Sequence, residues 1–265
     1  MIRVAVAGAA GRMGRALIQA IDSSQELTLG AGFENAASTA LGQDAGALAG
    51  VGACGVIISD EPEAEIENFD VIIDFTTPNA TLALAGFCAD AKKAMVIGTT
   101  GFTGEQQSEL NACSEKTAVF MSPNMSVGVN LMLQLVARAA RALANDVDVE
   151  VIEAHHKDKV DAPSGTAVRI GEVLAEALQR DLAKDAVYGR QGITGARERN
   201  TIGFSTIRGG DIVGEHTVLF AGEGERLEIT HRAQSRSNFA QGALRAVSFI
   251  QDKPPGLYSM EDLLE

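Results

Sequence analysis

Two of the four histidines in this chain are adjacent, within Glu153-Ala154-His155-His156-Lys157-Asp158-Lys159-Val160-Asp161. Histidine has an ordinary pKa near neutrality, so it can both give and take a proton at physiological pH. Neighbours on an extended strand point to opposite sides. His155 and His156 are therefore expected to do different jobs, one at a reacting atom and the other holding a carboxylate. Downstream, Pro163-Ser164-Gly165-Thr166 opens a predicted helix with Ser164 as N-cap, which leaves the amides of Gly165 and Thr166 to face an anion. The chain has 35 acidic and 22 basic residues, a net charge of −13. An acidic protein that handles an anionic substrate must concentrate cations locally, and the span from His155 to Thr166 does so. A solvated loop of mixed charge is the bland alternative. Zinc is disfavoured because no cysteine or second histidine pair stands at ligand spacing, and no metal is expected. A hydrolase built on Ser164 is weaker still, without a G-x-S-x-G elbow. His216 and His231 lie inside strand patterns and read as structural.

A second constellation lies at the N-terminus. Gly8-Ala9-Ala10-Gly11-Arg12-Met13-Gly14 follows a predicted strand and opens a predicted helix. Glycine there lets the backbone approach a pyrophosphate, whose charge the helix amides then face. The spacing is G-x-x-G-x-x-G, not the regular G-x-G-x-x-G. Glu34 ends the next apolar run, where a carboxylate accepts hydrogen bonds from the adenosine ribose hydroxyls. Together the two predict dinucleotide binding. Asn35 stands where an enzyme that binds a 2′-phosphate carries a cation, and Glu34 would repel that phosphate, so NADH is favoured over NADPH. Arg12 can still reach the phosphate, which leaves dual use open. Gly98-Thr99-Thr100-Gly101 and Ser122-Pro123-Asn124-Met125 end two further predicted strands, and in open α/β sheets ligands bind at such ends. Both are expected to border the nicotinamide.

The elements that must position these residues follow from hydrophobic patterning. The short apolar runs Arg3–Ala7, Leu27–Phe33, Val71–Phe75, Ala94–Gly98 and Ala118–Met121 alternate with the helical stretches Arg12–Ile21, Asn79–Ala91 and Glu105–Glu115. Runs apolar on both faces suit a buried parallel sheet, hence a Rossmann-like, doubly wound α/β fold. A long helix, Val127–Ala144, precedes a strand over Val147–Ala154 with one wetter face. A helix over Gly165–Arg180 follows, then β-rich runs at Thr201–Arg208, Glu215–Ala221 and Arg226–Ala233. Gly209-Gly210-Asp211 and Gly222-Glu223-Gly224 read as the turns between those runs. Strands without intervening helices predict a mixed or antiparallel sheet in a second, α+β domain. The domains are read as 1–126 for the dinucleotide, 127–235 for the substrate, and a C-terminal segment 236–265, with a helix over Phe239–Ile250, returning to the first.

Hydrophobic residues make up 46% of the 265-residue chain and charged residues 22%, the balance of a soluble globular protein. The negative charge argues against nucleic acid or an anionic membrane as partner. No apolar run reaches the length of a membrane span or a signal-peptide core, so a cytoplasmic location is expected. Cys54, Cys88 and Cys113 form no CxxC pair and read as reduced, small buried residues.

The segment Glu153-Ala154-His155-His156, followed by Lys159-Val160-Asp161-Ala162-Pro163-Ser164-Gly165-Thr166-Ala167, resembles the signature of the 4-hydroxy-tetrahydrodipicolinate (dihydrodipicolinate) reductases. The likeness extends to Val4–Gly14, Asp74-Phe75-Thr76, Val96–Phe102, Ser126–Asn130 and Gly209–His216, essentially the whole chain. It implies reduction of a cyclic imine dicarboxylate to tetrahydrodipicolinate in lysine and diaminopimelate biosynthesis. The substrate would lose water to give a conjugated imine, hydride would add at its far carbon, and a proton would complete the reaction. By resemblance, His155 is the general acid and base, Lys159 a second proton donor, and His156, Gly165 and Thr166 the carboxylate site. Gly8, Ala9, Ala10, Gly11, Arg12, Met13, Glu34, Gly98, Thr99, Thr100, Ser122, Pro123, Asn124 and Met125 would hold NADH or NADPH. A homotetramer assembled through the second sheet is implied as well. Asn35 and Thr77 depart from arginines found in the family, and Asn35 puts an NADPH preference in doubt. Another nicotinamide-dependent amino-acid dehydrogenase on the same architecture is the alternative.

Overall fold

Ile2–Ala7 (β1) carries four consecutive buried residues, Val4 to Ala7, as a strand covered on both faces must. In the computed structural model, which describes every residue but Arg236 and the side chain of Asn145, this strand founds an α/β unit. It is followed by α1 (Arg12–Asp22), β2 (Leu27–Phe33), α2 (Ala45–Ala49), β3 (Ile58–Ser59), β4 (Val71–Asp74), α3 (Pro78–Ala91), β5 (Ala94–Ile97), α4 (Gly104–Ser114) and β6 (Ala118–Met121). The chain continues through α5 (Val127–Leu143), β7 (Asp148–His155), α6 (Gly165–Leu178), α7 (Leu182–Asp185), β8 (Ala186–Tyr188), β9 (Ile202–Arg208), β10 (Gly214–Ala221) and β11 (Arg226–Ala233). It ends with α8 (Ser237–Ile250), β12 (Gly256–Tyr258) and α9 (Met260–Leu264).

The described residues divide into two units, Met1–Val127 with Ser237–Glu265, and Gly128–Arg236. The boundary read at 235/236 falls against Arg236, which lies outside the described residues. In the first unit a seven-stranded sheet runs β12-β6-β5-β4-β1-β2-β3, with every pairing parallel. The strand order reverses at β1, so the ends of β1 and β4, where Ala7 pairs with Asp74, flank the crevice in which such sheets bind ligands. Leu17, Ile18 and Ile21 of α1 pack in one cluster with Ala240, Ala243, Leu244 and Val247 of α8. The cluster on the other side joins Ala85 and Cys88 of α3 to Leu110 of α4. The C-terminal helix therefore completes the core of this unit.

The second unit has a five-stranded sheet in the order β11-β10-β7-β9-β8. It is mixed, because β7, β9 and β8 run parallel while β10 is antiparallel to both β7 and β11. Gly222-Glu223-Gly224 does turn β10 into β11, with the Gly222 amide donating to the Glu225 carbonyl at 3.0 Å. Gly209-Gly210-Asp211 does not turn β9 into a neighbour, as the sequence reading supposed. Strand β7, whose Val149 and Val151 are fully buried, takes the centre between β9 and β10. The 209–213 connection crosses its end, where the Gly209 amide donates to the His155 carbonyl at 3.0 Å and the Lys157 amide to the Gly210 carbonyl at 3.2 Å.

The short pieces β3, β8, β12, α2, α7 and α9 were not predicted, since two to five residues show no usable periodicity. Of the three free cysteines, Cys88 is buried but Cys54 is exposed, against the expectation of a small buried residue. Cys54 follows the turn after α2, where its amide donates to Asp44 at 3.1 Å and its side chain is left at the surface. No helix among the described residues is long and apolar enough to cross a membrane.

Candidate active site

Gly8, directly after β1, has φ +68°, a left-handed conformation that only glycine adopts without strain. A Cβ built on Gly14 would fall inside contact distance of the Gly8 carbonyl oxygen and the Ala9 backbone. Helix α1 therefore presses against the turn, as a pyrophosphate loop requires. Gly11 is the N-cap and offers no side-chain cap, so the first amides of α1 are left for an anion. Glu34 turns its carboxylate to the glycine turn, where Oε1 accepts the Ala10 amide at 3.0 Å. These residues fit a dinucleotide. Arg12 is exposed beside the turn, Met13 and Ala10 are half-buried, and Ala9 is fully buried, so Ala9 can offer a ligand only its backbone. Gly14→Ala is expected to weaken binding of a nicotinamide dinucleotide more than tenfold and destabilise the unit by about 1–3 kcal/mol, the range for overpacking. Thermal denaturation with and without NADH reads both effects, and an unchanged ligand-induced shift would contradict the assignment.

Two loops border the same ends of the sheet. The Gly98 amide donates to the Asp74 carbonyl at 2.8 Å and the Ser122 amide to the Ile97 carbonyl at 3.1 Å, which ties both loops to β4 and β5. Thr99 is buried and bonded through Oγ1 to Thr81 at 2.9 Å, while Thr100 is exposed. Ser122 Oγ donates to the Asn124 carbonyl at 2.8 Å, and Asn124 Oδ1 accepts the Ser126 amide at 2.9 Å. Pro123 is exposed, whereas Met125 belongs to the core beneath α8. Asp74 is fully buried, and burial pushes its carboxyl above the usual range.

In the second unit His155 is the last residue of β7 rather than part of the following loop. The two-residue period puts Val149, Val151, Glu153 and His155 on one buried face, and half-buried His156 follows directly after the strand. Glu153 is 1% exposed on that apolar face. A buried carboxylate there must be paired, and four contacts pair it. Arg208 donates to both oxygens at 2.7 Å, the Ser164 amide donates to Oε1 at 3.1 Å, and His155 Nδ1 lies 2.6 Å from Oε2. Arg208, His155 and the Ser164 amide together overcome desolvation and lower the Glu153 pKa to about 2. His216, on β10, sits in the same cluster. Its Nε2 is 3.0 Å from Ser164 Oγ, and its ring lies 5.2 Å from that of His155, edge on. Burial, reinforced by His155, lowers its pKa to about 4, so it is neutral at physiological pH.

Ser164 is the N-cap of α6, as expected, and its hydroxyl accepts the Ala167 amide at 3.2 Å. A Cβ on Gly165 would meet no atom within 4 Å, so the helix start is uncrowded at that residue. Lys159 reaches Asp161 at 2.8 Å. The structure thus brings His155, His156, Lys159, Gly165 and Thr166 to one end of the second sheet. Sequence reasoning missed the roles of Glu153 and Arg208, and it read His216 as part of a strand alone. The available signal was a glutamate in phase with the buried valines.

The model for the dihydrodipicolinate reductase N-terminus matches residues 2–125, and the model for its C-terminus matches 128–264. The chain belongs to the dihydrodipicolinate reductase family. Among solved structures, the dipicolinate-bound dihydrodipicolinate reductase from Paenisporosarcina sp. TG-14 is 26% identical, with a TM-score of 0.79 over 98% of this chain and 97% of that one. A DAP dehydrogenase of C. glutamicum in complex with DAP shares the fold at 14% identity, with a TM-score of 0.56 over 100% and 95% of the two chains. An amine dehydrogenase from Mycobacterium smegmatis does so at 14%, with a TM-score of 0.60 over 98% and 95%. The protein is accordingly a nicotinamide-dependent oxidoreductase. It reduces 4-hydroxy-tetrahydrodipicolinate to tetrahydrodipicolinate in lysine and diaminopimelate biosynthesis.

Proposed function

We propose that this reductase prefers NADH, that His155 delivers the proton completing the reduction, and that Lys159 assists it near the substrate ring. His156 with the Gly165 and Thr166 end of α6 would hold a substrate carboxylate. The observation that carries this reading is the convergence of imidazoles, an ammonium group and an open helix N-terminus at one end of the second sheet, in a chain of net charge −13. The dicarboxylate bound to the Paenisporosarcina relative supports the same substrate class. The nicotinamide supplies the hydride when bound. Gly8 to Met13, Glu34, Gly98 to Thr100 and Ser122 to Met125 would orient it, while the histidines and Lys159 provide the proton and the charge that the dianion needs.

The cofactor preference rests on Glu34 and Asn35. Glu34 is already turned toward the glycine loop, and Asn35 Oδ1 is engaged with the Ala37 amide at 3.0 Å, so neither supplies a cation for a 2′-phosphate. Asn35→Arg is expected to raise the NADPH to NADH ratio of kcat/KM about tenfold, one charge-assisted phosphate contact being worth about 1.5–3 kcal/mol. We also assign the protein to the cytoplasm as a homotetramer. The outward face of the second sheet, where Ile207 is half exposed, would form the contact.

An assay that makes the unstable substrate in place, from pyruvate and aspartate semialdehyde through the preceding synthase, tests the whole reading. Loss of reduced-nicotinamide absorbance that needs both proteins, and is faster with NADH than with NADPH, is the expected result. Faster oxidation of NADPH by the unaltered protein would overturn the cofactor assignment.

A further inference from the structure

The face of β7 that buries Val149 and Val151 also buries Glu153 and His155, one residue pair apart in the same row. Both oxygens of Glu153 are used. Oε1 takes the Ser164 amide and one Arg208 nitrogen, and Oε2 takes the other Arg208 nitrogen and His155 Nδ1. An ionised carboxylate only accepts hydrogen bonds, so the proton between Glu153 and His155 belongs to Nδ1. The imidazole is then left with Nε2 as its exchanging atom. That edge faces Gly214 across the end of β10, where a Cβ would stand 3.0 Å from Nε2. Among the described residues Nε2 has no protein hydrogen bond.

We propose that Glu153, clamped by Arg208, is a positioning residue that holds His155 in its Nδ1–H form, so that proton transfer to the substrate runs through Nε2 on the side that Gly214 leaves clear. The arrangement follows the acid–histidine logic by which a buried carboxylate fixes a tautomer and supports the imidazolium. It rests on the assignment of His155 as proton donor. The charged and titratable groups around His155 are Glu153 on its own strand, Arg208 on β9, Lys159 paired with Asp161 in the following loop, and His216 on β10 with His231 beyond it. His216 is neutral at physiological pH and holds the ring from the side without a competing charge.

Glu153→Gln keeps the shape and removes the charge. It is expected to lower kcat roughly 100-fold, within the range for a misplaced acid–base group, with the KM for NADH unchanged. The limb on which kcat falls with rising pH should move to lower pH, because the imidazolium has lost its counter-charge. Glu153→Asp should restore part of kcat and part of the limb. Solid-state 15N spectra of histidine-labelled unaltered protein, with His155 assigned by its absence from His155→Gln, should show a protonated Nδ1 and a bare Nε2 in the neutral form. An Nε2–H form would overturn the inference even if neither Glu153 variant folds. So would a Glu153→Gln enzyme with the original pH limb and kcat. If His155→Gln itself keeps the original kcat, the assignment of His155 fails. If it loses kcat while Glu153→Gln does not, only the positioning role falls.

Discussion

His155→Gln is expected to lower kcat by about 10²- to 10⁴-fold, the usual contribution of a positioned acid–base group, without weakening NADH binding. The two effects separate because the residues that fit the dinucleotide lie in the first unit, around Gly8, Gly14 and Glu34, whereas His155 ends β7 in the second. Glutamine is close to the imidazole in size and polarity and can still offer a hydrogen bond toward Glu153, so the fold should survive. It cannot carry a proton that exchanges near neutrality. The solvent isotope effect on kcat should rise as the proton comes from water instead. Single-turnover and steady-state kinetics with in-place substrate, beside a fluorescence titration with NADH, check the prediction. A variant that keeps more than a tenth of kcat, or whose loss lies in NADH affinity, would remove His155 from the proton step.

The first unit was legible because parallel strands covered on both faces read as uninterrupted apolar runs, and the structure keeps β1, β2, β4, β5 and β6 where those runs lie. Glu34 stands out by spacing alone, whereas the bond of its carboxylate to the Ala10 amide comes from the folded turn. Pairing order was not legible in the second unit. β9 and β10 are consecutive, yet they lie on either side of β7, a choice made by the burial of Val149 and Val151 and not by any turn residue. The candidate site inherits this limit. Arg208 meets Glu153 only because β9 pairs in parallel with β7, setting His155 opposite Arg208. His216 meets Glu153 only because β10 pairs on the other side. The residues contributed by one continuous segment, from His155 to Thr166, could be named from the sequence, while those that arrive across the sheet could not.

Arg208→Met should cost about 3–5 kcal/mol at neutral pH, the usual result of removing one partner from a buried ion pair. Methionine fills much of the arginine volume, so the loss reports the stranded Glu153 charge more than a cavity. The released bond from Arg208 to the Asp161 carbonyl, 2.7 Å in the intact protein, should also loosen the loop that carries Lys159. The pH dependence identifies the cause. Glu153 is lowered from an ordinary 4.5 to about 2, chiefly by Arg208 acting against desolvation. A carboxylate depressed on folding stabilises the native state above its unfolded value and loses that contribution as pH falls toward the folded one. In the intact protein this contribution is on the order of 3 kcal/mol, and it disappears between pH 4.5 and 2. In Arg208→Met the carboxyl keeps its burial without its cation, so its pKa rises and acid relieves the stranded charge. The stability gap between the two proteins should therefore be widest near pH 7, narrow as pH falls toward 4.5 and the variant's carboxyl takes up its proton, and shrink further between 4.5 and about 2 as the intact protein loses its own contribution. Arg208→Lys, which keeps a charge but not the bidentate grip, should fall between them. Denaturant titrations followed by circular dichroism across that range measure the gap. A gap that stays constant with pH would mean that Arg208 acts through packing and its carbonyl bonds, and that Glu153 does not depend on it for its charge.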